Sequence, residues 1–214
     1  PNEKTLVELF NVSIGTIRKA IGALEKEGIL IRKQGLGTFV FQHDKNSFLF
    51  EYFHFALNGS EEKKNPNVEL ISFTTKKSNK SESKALKIPE GSNIYHIYNK
   101  LGLNKKFYIV DKIVISHAKF PSLTEEMFRN RTNTIYNLYQ NKFNIFITNC
   151  SEKIKAISSN ERISNLLNIE LNSPILKIDR IGHTYHNEII ELRTSYVHTS
   201  DIEYIQSQNS MFGE

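Results

Sequence analysis

The side chains with the means to do chemistry fall into two groups. One opens a helix. After a break at Asn11 and Val12 come Ser13, Ile14, Gly15, Thr16, Arg18 and Lys19. Ser13 can cap a helix by accepting a hydrogen bond from the Thr16 amide. The residues just past such a cap form the end that a recognition helix pushes into a DNA major groove. Arg18 can read a guanine edge with two hydrogen bonds or pair with phosphate, and Thr16 with the helix N-terminus suits phosphate. The other group is a pair of carboxylates, Asp111 and Glu191, which could in principle act as general acid and base. Further signs of catalysis are missing from the sequence. His43, His54, His96, His117, His183, His186 and His198 show no metal-ligand spacing with acids or cysteine. There is no glycine-rich phosphate loop and no G-x-S-x-G turn. Cys150 is the single cysteine, so an intrachain disulfide is excluded and a reducing compartment is expected. It reads as a small buried apolar residue.

Elements of recognisable kind must position these groups. Residues 2–10 form a short helix with Asn2 as cap and Leu6, Val7 and Phe10 on one face. Ile17, Ala20, Ile21 and Leu24 follow the i, i+3, i+4, i+7 spacing of a second helix with one buried face. Residues 29–33 and 38–41 read as strands joined through Gln34–Gly37, with Gly28 closing the helix before them. Two helices at a tight turn followed by a two-stranded hairpin is the layout of a winged helix-turn-helix. From about 43 to 66 the pattern loosens into a charged, loop-like stretch. Beyond it, 68–75, 93–103, 106–117, 144–158, 174–185 and 188–199 read as strands. Segments 81–88, 121–128, 133–143 and 159–167 read as helices, the last opened by a Ser158/Glu161 capping box. This is α+β, a mostly antiparallel sheet with helices on one side.

The string PNEKTLVELFNVSIGTIRKAIGALEKEGILIRKQGLGTFV resembles the DNA-binding domain of the GntR family of bacterial transcription regulators. The resemblance runs through Pro1, Glu3, Leu6, Phe10, Val12, Ser13, Thr16, Arg18, Ala20, Leu24, Glu25, Gly28, the basic Arg32 and Lys33, and the QG-x-GTFV wing. It implies a dimer that binds double-stranded operator DNA, with the recognition helix in the major groove and the wing glycine reaching the minor groove. Carried over, Lys4, Thr16, Arg18 and Gly37 are DNA contacts, joined by Ser13, Ile14, Gly15, Lys19, Gly35 and Leu36 on the same helix edge and wing tip. Family members usually carry arginine after the serine, and Ile14 stands there. An apolar residue at that place predicts contact with a thymine methyl or a lost base contact. The family domain's first helix is expected upstream of Pro1.

From about residue 50 to 210 the chain resembles the UTRA effector domain of the HutC-like branch, which looks like the chorismate-lyase fold but binds small effectors. The resemblance runs through SESKALKIPEGSNIYHI, FYIVDKIVI, TIYNLYQNKFNI, ISSNERISNLLNIELNSPILKIDRI and EIIELRTSYV. It implies an effector site at Asn99, Leu101, Asp111, Thr134, Glu191 and Tyr196, with Arg180 and Arg193 nearby in sequence. Members that sense phosphosugars place two arginines where Asn99 and Leu101 stand. Lys100 and Lys112 could substitute if strand alternation points them inward. On this reading a chorismate-lyase-like enzyme is the alternative, and the shortage of pocket cations argues against it.

The expected organisation is therefore a winged helix-turn-helix over 1–43, a linker over 44–66 and a UTRA domain of antiparallel sheet over 67–214. The expected function is a cytoplasmic, homodimeric repressor without cofactor or metal. Its effector would be a sugar, sugar phosphate, amino-acid-related molecule or other metabolite. The net charge of +5 and pI near 9.1 are compatible with a polyanionic partner without demanding one. No apolar run approaches the roughly 18 residues of a membrane helix.

Overall fold

A computed structural model describes residues 1–26, 29–33, 37–40, 53–60 and 64–205. In the N-terminal unit, α1 (Glu3–Phe10) is capped by Asn2, whose side chain accepts from the Thr5 amide. Asn11 stops it in the left-handed conformation that asparagine tolerates. Ser13 then accepts from the Thr16 amide at 3.1 Å and opens α2 (Ile14–Lys26). Strands β1 (Leu30–Lys33) and β2 (Gly37–Val40) pair antiparallel, Arg32 opposite Thr38. Gly37 sits at φ +113°, where a side chain would be strained. Gly28, Gly35 and Leu36 lie outside the described residues. Among the residues expected on the buried face of α2, Ile17 is buried and Ile21 half-buried, but Ala20 and Leu24 are exposed. Leu9, Phe10, Phe39 and Val40 are exposed as well.

The second unit is a six-stranded antiparallel sheet. Its strands are β4 (Asn67–Lys77), β5 (Asn93–Leu103), β6 (Lys106–Ser116), β7 (Asn149–Ser158), β8 (Pro174–His183) and β9 (Ile189–Val197). Their spatial order is β4-β5-β6-β9-β8-β7. The β5–β6 turn uses two residues, Asn104 and Lys105, both at positive φ, as a tight hairpin matching the sheet twist requires. Gly102 marks a register shift beside it, and a Cβ there would lie 2.2 Å from the Lys106 carbonyl oxygen. A two-stranded ribbon of β3 (Phe55–Leu57) and β10 (Ile202–Tyr204) completes the strands. Phe53 and Phe55, read from sequence as linker, pack into the same core as Tyr95 and Ile97.

The helices divide between the two faces of the sheet, not one as expected. Helices α4 (Glu125–Arg129) and α5 (Ile135–Phe143) cover the face carrying Ile97, Ile113 and Ile115, adding Phe128, Tyr136 and Tyr139. On the other face, α3 (Lys80–Leu86) packs Leu86 on Ile94 and Val114, and α6 (Glu161–Leu167) packs Ile163 and Leu167 on Val110 and Ile175. The reason is legible in β5 and β6, which are apolar at both parities, as a strand covered on both faces must be. Two caps also differ. Asn160, not Ser158, caps α6 by accepting from the Ile163 amide, because Ser158 is still the last residue of β7. The reciprocal capping box lies instead at α3, between Asn79 and Glu82.

Glu82 also holds His96 across this second face, Oε1 to Nε2 at 2.7 Å, with Lys112 Nζ 3.7 Å from the same oxygen. Burial first, and then the charge of Lys112, push the His96 pKa down to about 4. An unfolded chain therefore binds more protons at His96 than the folded one between about pH 6.5 and 4. Stability should be full above pH 6.5 and fall as pH drops through this window, by about 2–3 kcal/mol in total. Urea midpoints measured from pH 7 to 4 should show the decline, and His96→Gln should flatten it. An unchanged slope in His96→Gln would assign the decline to other groups.

Candidate functional site

On the α5 side of the sheet, the odd-numbered residues of β5, β6 and β9 bring Asn99, Asp111 and Ser195 into register across three adjacent strands. Arg193 lies two residues before Ser195 on the same face. Asn99, Asp111 and Arg193 floor a cavity of about 110 Å3, and Ser195 faces the smaller space beside it. Leu101 and Val68 extend the floor, Asn65 and Pro66 form one rim, and Arg131, Asn133, Thr134 and Ile135 close the other at the start of α5. Thr134 is held there because it caps α5, accepting from the Asn137 amide at 3.1 Å. The rim continues outward into a groove of about 340 Å3 that shares Arg131, Asn133 and Thr134. Beneath the β3–β10 ribbon a smaller space shares Leu101, Asp111 and Arg193 and is roofed by Phe53, Phe55 and Tyr204.

Arg193 is the hub of the floor. Its Nε donates to Glu191 Oε1 at 2.9 Å and its Nη1 to Asp111 Oδ2 at 3.1 Å. Asp111 also accepts from Ser195 Oγ at 2.6 Å. Glu191, fully buried, accepts from the hydroxyls of Tyr136 and Tyr139 at 3.1 and 2.9 Å. Burial and the negative charge of Glu191 hold both phenols well above their ordinary pKa. Burial opposes the charge of Arg193, but Glu191 and Asp111 more than offset it, so the guanidinium stays protonated. Among the described residues, two buried side-chain polar atoms remain without a hydrogen-bond partner: Arg193 Nη2 and Asn99 Oδ1. Both residues line the cavity. Buried polar groups are nearly always paired, so an unpaired donor and acceptor on one cavity floor suit a ligand that supplies both partners.

The structure thus brings together Asn99, Leu101, Asp111 and Thr134 of the six expected effector-site residues. Glu191 lies behind them, orienting Arg193 and not lining the cavity. Tyr196 points to the other face, where it packs against the cluster of Val110, Ile163, Leu167 and Ile175, because an even-numbered residue of β9 cannot share a face with Arg193. Lys100 and Lys112 are likewise turned away, bonded to Glu69 and Glu82. The cations come from elsewhere, as Arg193 and Arg131. Arg193 was findable from the period-2 spacing Glu191-x-Arg193-x-Ser195. Nothing in the segment RNRTNT marks Arg131. Cys150 lies 3.9 Å from the Tyr136 hydroxyl, and burial pushes its thiol up to about 11, which leaves it unreactive. Among the described residues no cluster of His, Cys, Asp or Glu is placed to hold a metal ion.

In the N-terminal unit, Lys4, Ser13, Ile14, Gly15, Thr16, Arg18, Lys19 and Gly37 are all exposed. Arg18 donates to Glu3 at 2.9 Å, which ties the start of α1 to the start of α2. No helix among the described residues is long and apolar enough to cross a membrane.

Comparison with known proteins agrees with both halves. Residues 61–203 match the UTRA domain, and residues 1–40 match bacterial regulatory proteins of the gntR family. The chain is 27% identical over 192 residues to the "Probable fructoselysine utilization operon transcriptional repressor" of Shigella flexneri, covering 90% of this chain and 78% of that protein. It is 27% identical over 180 residues to the "Histidine utilization repressor" of Pseudomonas putida, covering 84% and 71%. Its fold matches the crystal structure of the "possible transcriptional regulator YydK" from Bacillus subtilis subsp. subtilis str. 168, with TM-score 0.64, 20% identity and coverage of 98% and 89%.

Proposed function

This chain belongs to the UTRA-domain, HutC-like branch of the bacterial gntR family, and from that premise we propose that it works as a cytoplasmic homodimer on a pseudo-palindromic operator. It is a DNA-binding transcription regulator whose operator binding a small-molecule effector controls. The enzyme alternative finds no support among its relatives. We assign residues 1–43 to DNA binding and 67–214 to effector binding; of the expected connection over 44–66, Phe53 and Phe55 belong to the core of the effector-binding unit. Lys4, Ser13, Ile14, Gly15, Thr16, Arg18, Lys19, Gly35, Leu36 and Gly37 form the DNA face on this reading. Asn99, Leu101, Asp111 and Thr134 contact the effector, which is a sugar, sugar phosphate, amino-acid-related molecule or other metabolite. The observation that carries the effector site is the unpaired Asn99 Oδ1 and Arg193 Nη2 on one cavity floor.

Asn65 and Pro66 at the rim and Phe53 and Phe55 over the inner space lie in the stretch that follows the winged helix in sequence. A ligand that reorders this wall changes the path to the DNA-binding unit. Coupling of this kind is typically about 1–3 kcal/mol and reciprocal, so operator DNA should weaken or strengthen effector binding by the same factor. Fluorescence anisotropy with a labelled fragment of the protein's own promoter tests the function. Affinity should fall steeply as salt rises, since each neutralised phosphate contributes about 0.9 to the log–log slope. Absent or salt-insensitive binding would sink the reading.

A further inference from the structure

Arg131 is the one cavity-lining cation that no carboxylate answers among the described residues. Its Nη1 donates to the Phe128 carbonyl oxygen and its guanidinium lies 4.3 Å from the centre of the Phe128 ring. Neither contact neutralises its charge. Burial, reinforced by the like charge of Arg193, lowers its pKa to about 10, still well above neutrality. Buried cations are normally paired with an anion. Here a part-buried cation faces the cavity, and among the described residues no carboxylate answers it.

The other charges of the site are committed. Arg193 answers Asp111 and Glu191, and that trio carries one net negative charge. Arg180 lies further along the same face and answers Glu152 at 2.5 Å. Arg131 therefore brings the lining to neutrality and does not leave it strongly positive. A single negative charge beside Arg131 is tolerable. A monocarboxylate leaves the site with one net negative charge and a dianion with two, over buried Asp111 and Glu191, where like charges repel strongly at low dielectric. The unpaired Asn99 Oδ1 asks for a donor, a hydroxyl or an ammonium, and the unpaired Arg193 Nη2 asks for an acceptor. A carboxylate fits the planar guanidinium fork with two parallel hydrogen bonds.

We propose that Arg131 is the counter-ion for a single carboxylate on the effector, and that the site selects a polyhydroxylated or amino-bearing monocarboxylate over its neutral and phosphorylated counterparts. The selectivity rests on the effector-site reading above and narrows it. Three probes of one carbon skeleton separate the charge states: D-gluconate, D-glucose and D-glucose 6-phosphate, each at about 10 mM against the whole chain in thermal-shift and operator-release titrations. Gluconate should raise the unfolding temperature and change operator affinity, with the other two at least about tenfold weaker. Arg131→Gln should lose the gluconate response by about tenfold or more, and Arg131→Lys, which keeps the charge but not the fork, should retain part of it. The wild-type comparison stands even where Arg131→Gln folds poorly. An equal response to glucose, a preference for glucose 6-phosphate, no response to gluconate, or an Arg131→Gln protein that binds gluconate as well as wild type would each overturn the assignment. None of these outcomes touches salt-dependent operator binding, whose loss alone would sink the regulator reading.

Discussion

Arg193→Leu should destabilise the C-terminal domain by about 3–5 kcal/mol, the usual penalty for removing one partner of a buried ion pair. The penalty arises from what remains. Asp111 and Glu191 are both buried, and each currently faces the guanidinium within 3.1 Å. Without it, two carboxylates stay in a low-dielectric interior with only hydroxyls to solvate them, Ser195 on one and Tyr136 and Tyr139 on the other. Domains of this size are stable by only about 5–15 kcal/mol, so the variant should be close to unfolding at growth temperature. Equilibrium urea unfolding followed by circular dichroism measures the loss directly. Neutralising the whole trio, as Arg193→Leu with Asp111→Asn and Glu191→Gln, should recover much of it, since removing every charge of a buried network costs far less than removing one. A loss under about 1 kcal/mol in the single variant would mean that the carboxylates reach water or a second cation. The same experiment separates Glu191 from the ligand: Glu191→Gln should lower stability through Arg193 while leaving the residues that line the cavity in place.

That distinction was beyond the reach of the sequence, and the reason is physical. Strand parity was readable. The resemblance supplies Asn99, Asp111 and Leu101, alternation puts Asn99 and Leu101 on one side of β5, and the β5–β6 hairpin is bounded within one residue of its observed ends. The capping asparagine and serine of α1 and α2 were readable for the same reason, because a cap is a local bond between residues three apart. Whether a same-face residue lines a cavity or backs it depends on what covers it. Glu191 is sealed under Tyr136 and Tyr139, and that contact joins residues more than fifty positions apart. Tyr196 differs for the opposite reason: the resemblance implies an effector contact, but the alternation of β9 turns it to the α6 face. Arg131 sits in an irregular segment before α5, where no periodicity reports which way a side chain points. The shortage of cations inferred from Asn99 and Leu101 was thus a statement about one strand, and the structure fills the role from β9 and from a loop.

Arg18→Ala should weaken operator binding by about 1–3 kcal/mol, roughly 5- to 150-fold, while changing stability by less than about 0.5 kcal/mol. The asymmetry follows from exposure. Arg18 is 65% exposed and its bond to Glu3 is an exposed pair, a class worth about 0–1 kcal/mol in folding. On DNA the same guanidinium would meet a guanine edge or a phosphate. Salt titration tells these apart. A phosphate contact should reduce the log–log slope by about 1 on truncation and weaken all sequences alike, whereas a base contact should leave the slope unchanged and relax preference at one base pair. Glu3 makes the outcome sharper. In the free protein it holds Arg18 by Nε, leaving the two terminal nitrogens of the fork for another partner. Glu3→Gln removes a negative charge from the face that meets DNA, so affinity for any sequence should rise. It also frees the Arg18 side chain to rotate, so discrimination between operator and random DNA should fall. Higher affinity with unchanged discrimination would make Glu3 a simple electrostatic brake. Lower affinity together with lower discrimination would make it a positioning residue, whose value in orienting Arg18 exceeds the repulsion it adds.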